Sequence, residues 1–479
     1  MNTNLKKVSL WVAVASTLLA VTILLLQILT NLGKHTCISD GNPEIESLYS
    51  STCRREGSYE ITPFCKICKS KMYYSTHNTA PLKHSMKDGF CTECGGIESS
   101  PGLEFRLNDD ASSYTLVGLG SFSGDTLAVD IHGGLTVTGI DASAFDKSLN
   151  VKQVIIGEDT SFGTIFSENK NITSLAIAGS RKILEMAFID CTALENVKFT
   201  ATAKDAVVGG NQSSDEEPLV QIQANAFLGC NALTEVILSE GTTVLGDQAF
   251  AICSSLKSIN IPKALESFGE GVFLYCNSLE TVYYNSDHKG IAAKIIDLNS
   301  VKNLFWNTTL DIYSEMAEYN DNIETAFLTG FDTSRGHSLY GWKKLKSLSL
   351  VGEYALTYIG CCKSIESISV SAMDAELYVS ECKSLRSVTF EEGVRSFWFD
   401  LSYSQLDEVY VSESVEYMFF AIAEAETSIG RLTLENTDGW YERIGNNEYR
   451  ALPDGLINDP VALAEYIAER GGVILERVK

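Results

Sequence analysis

Residues Ala224–Tyr284 read ANAFLGCNALTEVILSEGTTVLGDQAF, then AICSSLKSINIPKALESFGEGVF, then LYCNSLETVYY. Three times a Phe is followed by Cys three residues later, by Leu three after that, and then by a β-prone V/I-x-I/L/Y step. Phe227/Cys230/Leu233/Val236/Leu238 is succeeded by Phe250/Cys253/Leu256/Ile259/Ile261 and by Phe273/Cys276/Leu279/Val282/Tyr284. The cysteines are 23 residues apart each time, and a fixed period of that size is the signature of a solenoid.

Indexed on the Cys position, with aliphatic residues sought at +3, +6 and +8, the frame extends in both directions. Upstream it falls on Cys191, Asn169 and Ser148, with Phe188, Phe166 and Phe145 as their partners. Downstream it falls on Leu298, Asn320, Trp342, Cys362, Cys382, Tyr403 and Glu426, giving thirteen units and a degenerate trace of another near Ser123. A Ser-, Asp- and Glu-rich insertion, 204–218, lengthens the step from Cys191 to Cys230. One short L-x-x-V-x-I strand cannot bury its apolar face alone, so successive coils must pair in parallel and share one core. The Phe and Cys of each coil belong to that interior, where a buried thiol behaves as a small hydrophobe. The fold class that follows is a β-rich solenoid with one long parallel sheet.

The pattern AFxxCxxLxxIxIPxxVxxIGxxAF resembles the BspA-type (Treponema-like) leucine-rich repeat, and Phe250–Pro262 matches it almost position for position. The resemblance covers residues 120–435. It implies a leucine-rich-repeat horseshoe and, for many members, a bacterial surface protein used in adhesion or protein binding. It implies no particular ligand.

The formal charge is −25, distributed unevenly. Residues 1–100 carry +2 and the remainder −27. An acidic repeat body lacks the basic face that nucleic acid requires, and it suits an exposed surface that meets basic partners.

Residues 1–7 contain Lys6 and Lys7, and Val8–Leu29 then runs for 22 residues without a charge, enough to span a bilayer as a helix. With no A-x-A site and a poor lipobox before Cys37, residues 8–30 read as an uncleaved signal anchor. The lysines favour a cytoplasmic N-terminus and an extracellular body. Residues 31–100 follow as a Cys-rich segment. In it, Cys65-x2-Cys68 and Cys91-x2-Cys94, separated by 22 residues, have the spacing of a zinc ribbon. Four thiolates make a closed, structural zinc site without the open position that a catalytic metal needs. His77 and His84 are alternative ligands, and disulfides are the competing reading in an exported chain. Cys37 and Cys53 have no assigned role. Residues 101–134 read as an entry cap and 135–435 as the repeats. Residues 436–479 read as a C-terminal cap, with Asp459-Pro460 starting a helix and Gly471 stopping it.

The sequence contains no H-E-x-x-H, G-x-S-x-G or Walker loop, so it reads as non-catalytic. Binding is better supported. Strand alternation turns +6 and +8 inward and leaves +5 and +7 on the concave, open face. The +7 series begins at Ile155 and Ala176 and later presents Tyr283, Phe305 and Phe327 in consecutive coils, beside Thr281, Asn303 and Thr325 at +5. Such an aromatic ladder is a natural anchor for a protein or glycan. The expectation is a membrane-anchored surface protein that binds another macromolecule. The alternative is a cytoplasmic-facing, membrane-tethered scaffold.

Overall fold

Every one of the thirteen frame positions carries a strand about five residues downstream. These strands run from Gln153–Ile156 and Ser174–Ala178 through to Glu408–Val411 and Leu432–Leu434. The structure is a computed structural model. It describes residues 83–478 apart from 88–89, 147–148, 180, 201–218, 297, 309, 311, 313–321, 330–335, 423–425 and 447, together with the strands Glu44–Tyr49, Gly57–Thr62 and Ser75–Thr79. The chain divides into two compact units, Met1–His84 and Ser85–Lys479. In the first, the three strands just named form an antiparallel sheet in chain order. Val8–Leu29, Cys37, Cys53, Cys65 and Cys68 lie outside the described residues. Among the described residues no helix is long and apolar enough to cross a membrane.

The second unit is a parallel β-solenoid of about thirteen turns, as the period requires. The frame strands pair in parallel, coil on coil, and Thr126–Val129 adds a rung ahead of them by pairing with Gln153–Ile156. Short return strands (Arg181–Ile183, Val220–Ile222, Thr242–Leu245, Ser267–Phe268) form a second parallel sheet in the first half. In the second half Ser347–Gly360 and Ser367–Ser380 are long enough to run through both sheets.

The interior is built from the repeated Phe and Cys. Phe166, Phe188, Phe227, Phe250 and Phe273 form one column, with successive centroids 5.7, 5.2, 5.2 and 6.0 Å apart and rings within 17° of parallel. Such pairs contribute about 0.5–1.5 kcal/mol beyond their area burial. The cysteines do more than fill space. Each thiol points at the carbonyl of the residue three before the frame position of the preceding coil: Cys191 to Phe166 O at 3.0 Å, Cys230 to Phe188 O and Cys253 to Phe227 O at 3.3 Å, and Cys276 to Phe250 O at 3.1 Å. Cys362 does the same to Leu339 O at 3.0 Å. Asn169, in the same slot, donates its amide to Leu149 O at 3.0 Å. The slot therefore wants a small side chain with a weak donor, and Cys is the least polar residue that supplies one. Burial pushes the Cys191 thiol up to about 12.

Three described frame positions differ from the sequence reading; one is Glu426, which is exposed. At Tyr403 the buried slot is taken by Ser404, while Tyr403 is exposed with φ 47°. That turn is one residue shorter relative to its strand, so the frame slips before recovering register. At Leu298 the turn is replaced by the helix Lys289–Ile296, which buries Ile291, Ala292 and Ile295. Ile295 stands where the frame places Phe.

Both ends of the stack are covered. At the start, Ile97 N–H donates to Asp130 Oδ2 at 2.8 Å, and Ile97 with Phe90 packs on Ala128, Ile155 and Ala176. The +7 residues Ile155 and Ala176, expected on the open face, are thus buried beneath that segment. At the end, Asp459 caps the helix Pro460–Arg470 by accepting from Val461 N and Ala462 N, and Leu463, Ala464 and Ile467 are buried. The strand Gly472–Arg477 then pairs antiparallel with Tyr417–Ile422, which ends the parallel stacking.

A charge ladder runs beside the frame strands at +4: Lys257, Glu280, Lys302, Glu324, Lys346, Glu366, Arg386 and Asp407 alternate in sign over eight coils. Lys302 Nζ meets Glu280 and Lys346 Nζ meets Glu324, each at 2.7 Å, and the Lys346 ammonium holds the Glu324 carboxyl below its ordinary range. Period and alternation together made this row visible in the sequence, where it was passed over. Lys302→Glu sets three carboxylates in one column. It is expected to lower Tm at low ionic strength, with the deficit shrinking in molar salt as the exposed charges are screened. Thermal melts of both proteins across a salt series check this. Alkylation of the native, reduced chain with a maleimide is expected to mark half-exposed Cys361 and to spare Cys191, Cys230, Cys253, Cys276, Cys362 and Cys382 until denaturant opens the coils. Peptide mass spectrometry reads the pattern, and equal labelling of Cys253 and Cys361 would contradict it.

Candidate functional site

The open-face column stands where alternation puts it. The frame strands Thr281–Tyr284, Asn303–Asn307 and Thr325–Thr329 align Tyr283, Phe305 and Phe327 directly, with no register shift. Val282, Leu304, Ala326 and their +8 neighbours Tyr284, Trp306 and Leu328 are buried, so the +7 rings face outward. Tyr283 stacks on Phe305 at 4.7 Å and 23°, and Phe305 meets Phe327 at 5.8 Å and 41°. Tyr283 is 44% exposed, and Phe305 and Phe327 are half-buried by one another.

Polar rows flank this column on both sides. At +5, Asn303 Nδ2 donates to Thr281 Oγ1 at 3.2 Å, and Ser347 Oγ to Thr325 Oγ1 at 3.4 Å. At +9, Thr329 Oγ1 donates to Asn307 Oδ1 at 2.6 Å, and Asn307 Nδ2 to Asn285 Oδ1 at 3.4 Å. The reading of the sequence found the first row and missed the second. Its signal was available: Asn285, Asn307 and Thr329 recur one frame step apart, but lie past the strand residues used to define the repeat. The arrangement is an apolar stripe about one ring wide between two lines of amide and hydroxyl groups. Next to it, Asn260 at +7 uses its amide to bridge Leu238 N and O instead of presenting it to solvent, and beyond Phe327 the +7 row continues as Ser349, Ser369 and Thr389. The aromatic stripe is therefore confined to three coils.

The second candidate, the metal centre, is described in half. Cys91 and Cys94 lie at the start of the second unit, on the turn after the strand Phe90–Cys91. Gly95 N–H donates to Cys91 O at 3.1 Å, and Gly95 has φ 66°, which favours glycine there. Gly96 N–H is aimed at Cys94 Sγ at 3.4 Å, and the two thiols lie within 4.8 Å of one another. Neither is in a disulfide. Backbone N–H donors to sulfur favour the thiolate, the form a metal requires. His84, weighed as an alternative ligand, closes the first unit and is buried. The partner pair Cys65 and Cys68 lies outside the described residues.

No curated protein matches the chain. Among solved structures, a leucine-rich repeat protein from Bacteroides ovatus ATCC 8483 is 17% identical, with 70% of this chain and 90% of that one covered and a TM-score of 0.26. A leucine rich cell surface protein from Faecalibacterium prausnitzii A2-165 is 15% identical over 74% and 96%, with a TM-score of 0.25. The pneumococcal vaccine antigen PcpA is 15% identical over 70% and 90%, also at 0.25. The superpositions are poor in all three cases. Residues 109–206 and 213–330 match the BspA type leucine rich repeat region in six copies, and no catalytic family is indicated. Over those residues the solenoid is similar to a BspA type leucine rich repeat region.

Proposed function

We propose that this chain is a membrane-anchored, surface-exposed leucine-rich-repeat protein that binds another macromolecule, a protein or a glycan, without catalysing a reaction. One observation carries the reading: three stacked rings, Tyr283, Phe305 and Phe327, on the outward row of a rigid parallel sheet, flanked on both sides by hydrogen-bonding side chains. Rigid aromatic anchors between polar rims are how recognition surfaces gain affinity at low entropic cost. The uncharged run Val8–Leu29 supports the anchor, and Lys6 and Lys7 before it support an outward-facing body. A structural zinc ion would take Cys65, Cys68, Cys91 and Cys94 as its four ligands. The knuckle at Cys91–Gly96, with its N–H aimed at sulfur, fits that donor set.

The full chain is to be compared with the Tyr283→Ser/Phe305→Ser/Phe327→Ser variant on a glycan array and on intact cells. The variant is expected to keep its melting temperature within a few degrees and to lose more than about tenfold in affinity for what the parent binds. An unchanged binding profile would remove the column from the proposal. Labelling of lysines by a membrane-impermeant biotin reagent is expected to mark the repeat body before lysis. Protection until lysis would leave the cytoplasmic-facing scaffold as the reading. Metal analysis of the purified chain is expected to find about one zinc per chain and none in Cys91→Ser/Cys94→Ser.

A further inference from the structure

Where the repeat exchanges its Phe for an aliphatic residue and keeps the Cys turn, the return segment lengthens into a strand and builds a second outward surface. Along Ser347–Gly360, Ser367–Ser380 and Ser396–Ser402 the inward residues are Thr357 and Ile359, Leu377 and Val379, and Phe399 and Leu401. The outward residues stand in rows across the coils. In one row Tyr358 lies opposite Tyr378, and Tyr378 opposite Asp400. The two rings stack at 4.9 Å and 17°. Tyr358 thus covers one face of Tyr378 and leaves the other turned along the row towards Asp400. In the adjoining row Gly360 lies between Tyr340 and Ser380, with Ser402 next. The Tyr340 ring rests against the Gly360 backbone, since a Cβ there would come within 2.6 Å of it. These residues bound a recess of about 130 Å³, the size for a head group and well below that of a drug-sized ligand pocket.

The electrostatics of the recess are one-sided. Its lining contains no lysine or arginine. Asp400 has no ion-pair partner among the described residues, and burial alone raises its carboxyl above the ordinary range. Glu376, on the neighbouring row, is already engaged, accepting from Tyr354 Oη at 2.7 Å and Tyr378 Oη at 3.2 Å. Three electron-rich rings and one uncompensated carboxylate around a small opening form an arrangement complementary to an organic cation. A neutral sugar would leave that carboxylate without a counter-charge, and an anion would be repelled by it.

We propose that this recess binds an alkylammonium group, held over the open face of Tyr378, enclosed by Tyr340 and Tyr358, and neutralised by Asp400. The group is either a lysine-type primary amine or a quaternary ammonium head group, since the same chemistry recognises both. The recess lies on the return strands, apart from the open-face column, so it stands or fails separately from macromolecular binding there.

The test is ligand-observed saturation-transfer NMR on the full chain in a maltoside detergent, with n-butylammonium, choline and the neutral isostere 3,3-dimethylbutan-1-ol as probes. Saturable binding of at least one cation is expected, with the isostere at least about tenfold weaker. Asp400→Asn, which preserves shape, is expected to weaken the cation about tenfold and leave the isostere unchanged, and Tyr378→Leu to weaken the cation similarly. A preference for choline assigns the quaternary group, and a preference for n-butylammonium the lysine type. The proposal is overturned if neither cation binds, if the isostere binds as tightly, or if Asp400→Asn leaves cation affinity unchanged. The isostere comparison uses the unaltered protein and does not depend on any variant folding.

Discussion

The coils at Cys191, Cys230, Cys253 and Cys276 are each held to the one before by the same pair of contacts. A phenyl ring stacks on the ring below, and a thiol one turn later donates to the carbonyl of that lower coil. The first contact is apolar and tolerant of distance. The second is directional, with sulfur 3.0–3.3 Å from a carbonyl outside the frame strands. Each of these Phe carbonyls also accepts the N–H of the frame residue three positions on, so the thiol adds a second, inter-coil donor to a group already bonded within its turn. Asn169 and Ser404 fill the slot with other bonds: Asn169 donates to Leu149 O at 3.0 Å, and Ser404 donates to Ser402 O and accepts from Cys382 N–H, each at 3.0 Å. Once the stack is made, the frame strands are obliged to pair in parallel and in register, and every surface row inherits that alignment.

The surface rows are where individuality enters. The alternating charges at +4, the aromatic column at +7 and the amide row at +9 are each read across coils, so no single repeat contains a site. The +4 ladder is itself neutral, with a lysine or arginine preceding each of its four carboxylates. The binding column lies in the coils where the repeat is least regular. There the helix Lys289–Ile296 substitutes for the turn, and Tyr284 and Trp306 replace aliphatic residues in the core, stacked at 4.4 Å. Departure from the consensus inside accompanies departure outside.

A second change of character begins with the coil of Trp342, where Leu339, and then Ile359 and Val379, succeed Phe in the interior. With a branched aliphatic residue in that slot the return segment extends as a strand, and the long strands Ser347–Gly360 and Ser367–Ser380 result. The return side thereby becomes a sheet with its own outward rows. Tyr340, Tyr358, Tyr378 and Asp400 are brought together there although they are spread over 61 residues of sequence.

The sequence alone determined the period, the parallel pairing and the inward positions, because stacking turns a local spacing into a three-dimensional register. Even the weakest units, at Leu298, Asn320 and Glu426, carry their strands where the frame places them. For the same reason the column Tyr283–Phe305–Phe327 was legible before any coordinates. Tertiary structure decided what lies on top of a row and what shares a turn. Nothing in the spacing shows that Phe90 and Ile97 cover Ile155 and Ala176, since that contact joins residues outside the repeat to residues within it. Ser404 displaced Tyr403 because one missing residue in a turn shifts which side chain points inward without disturbing the strand. The ammonium recess was invisible for a related reason: the return segments vary in length and conformation from coil to coil, so only folding reveals which of their residues stand side by side.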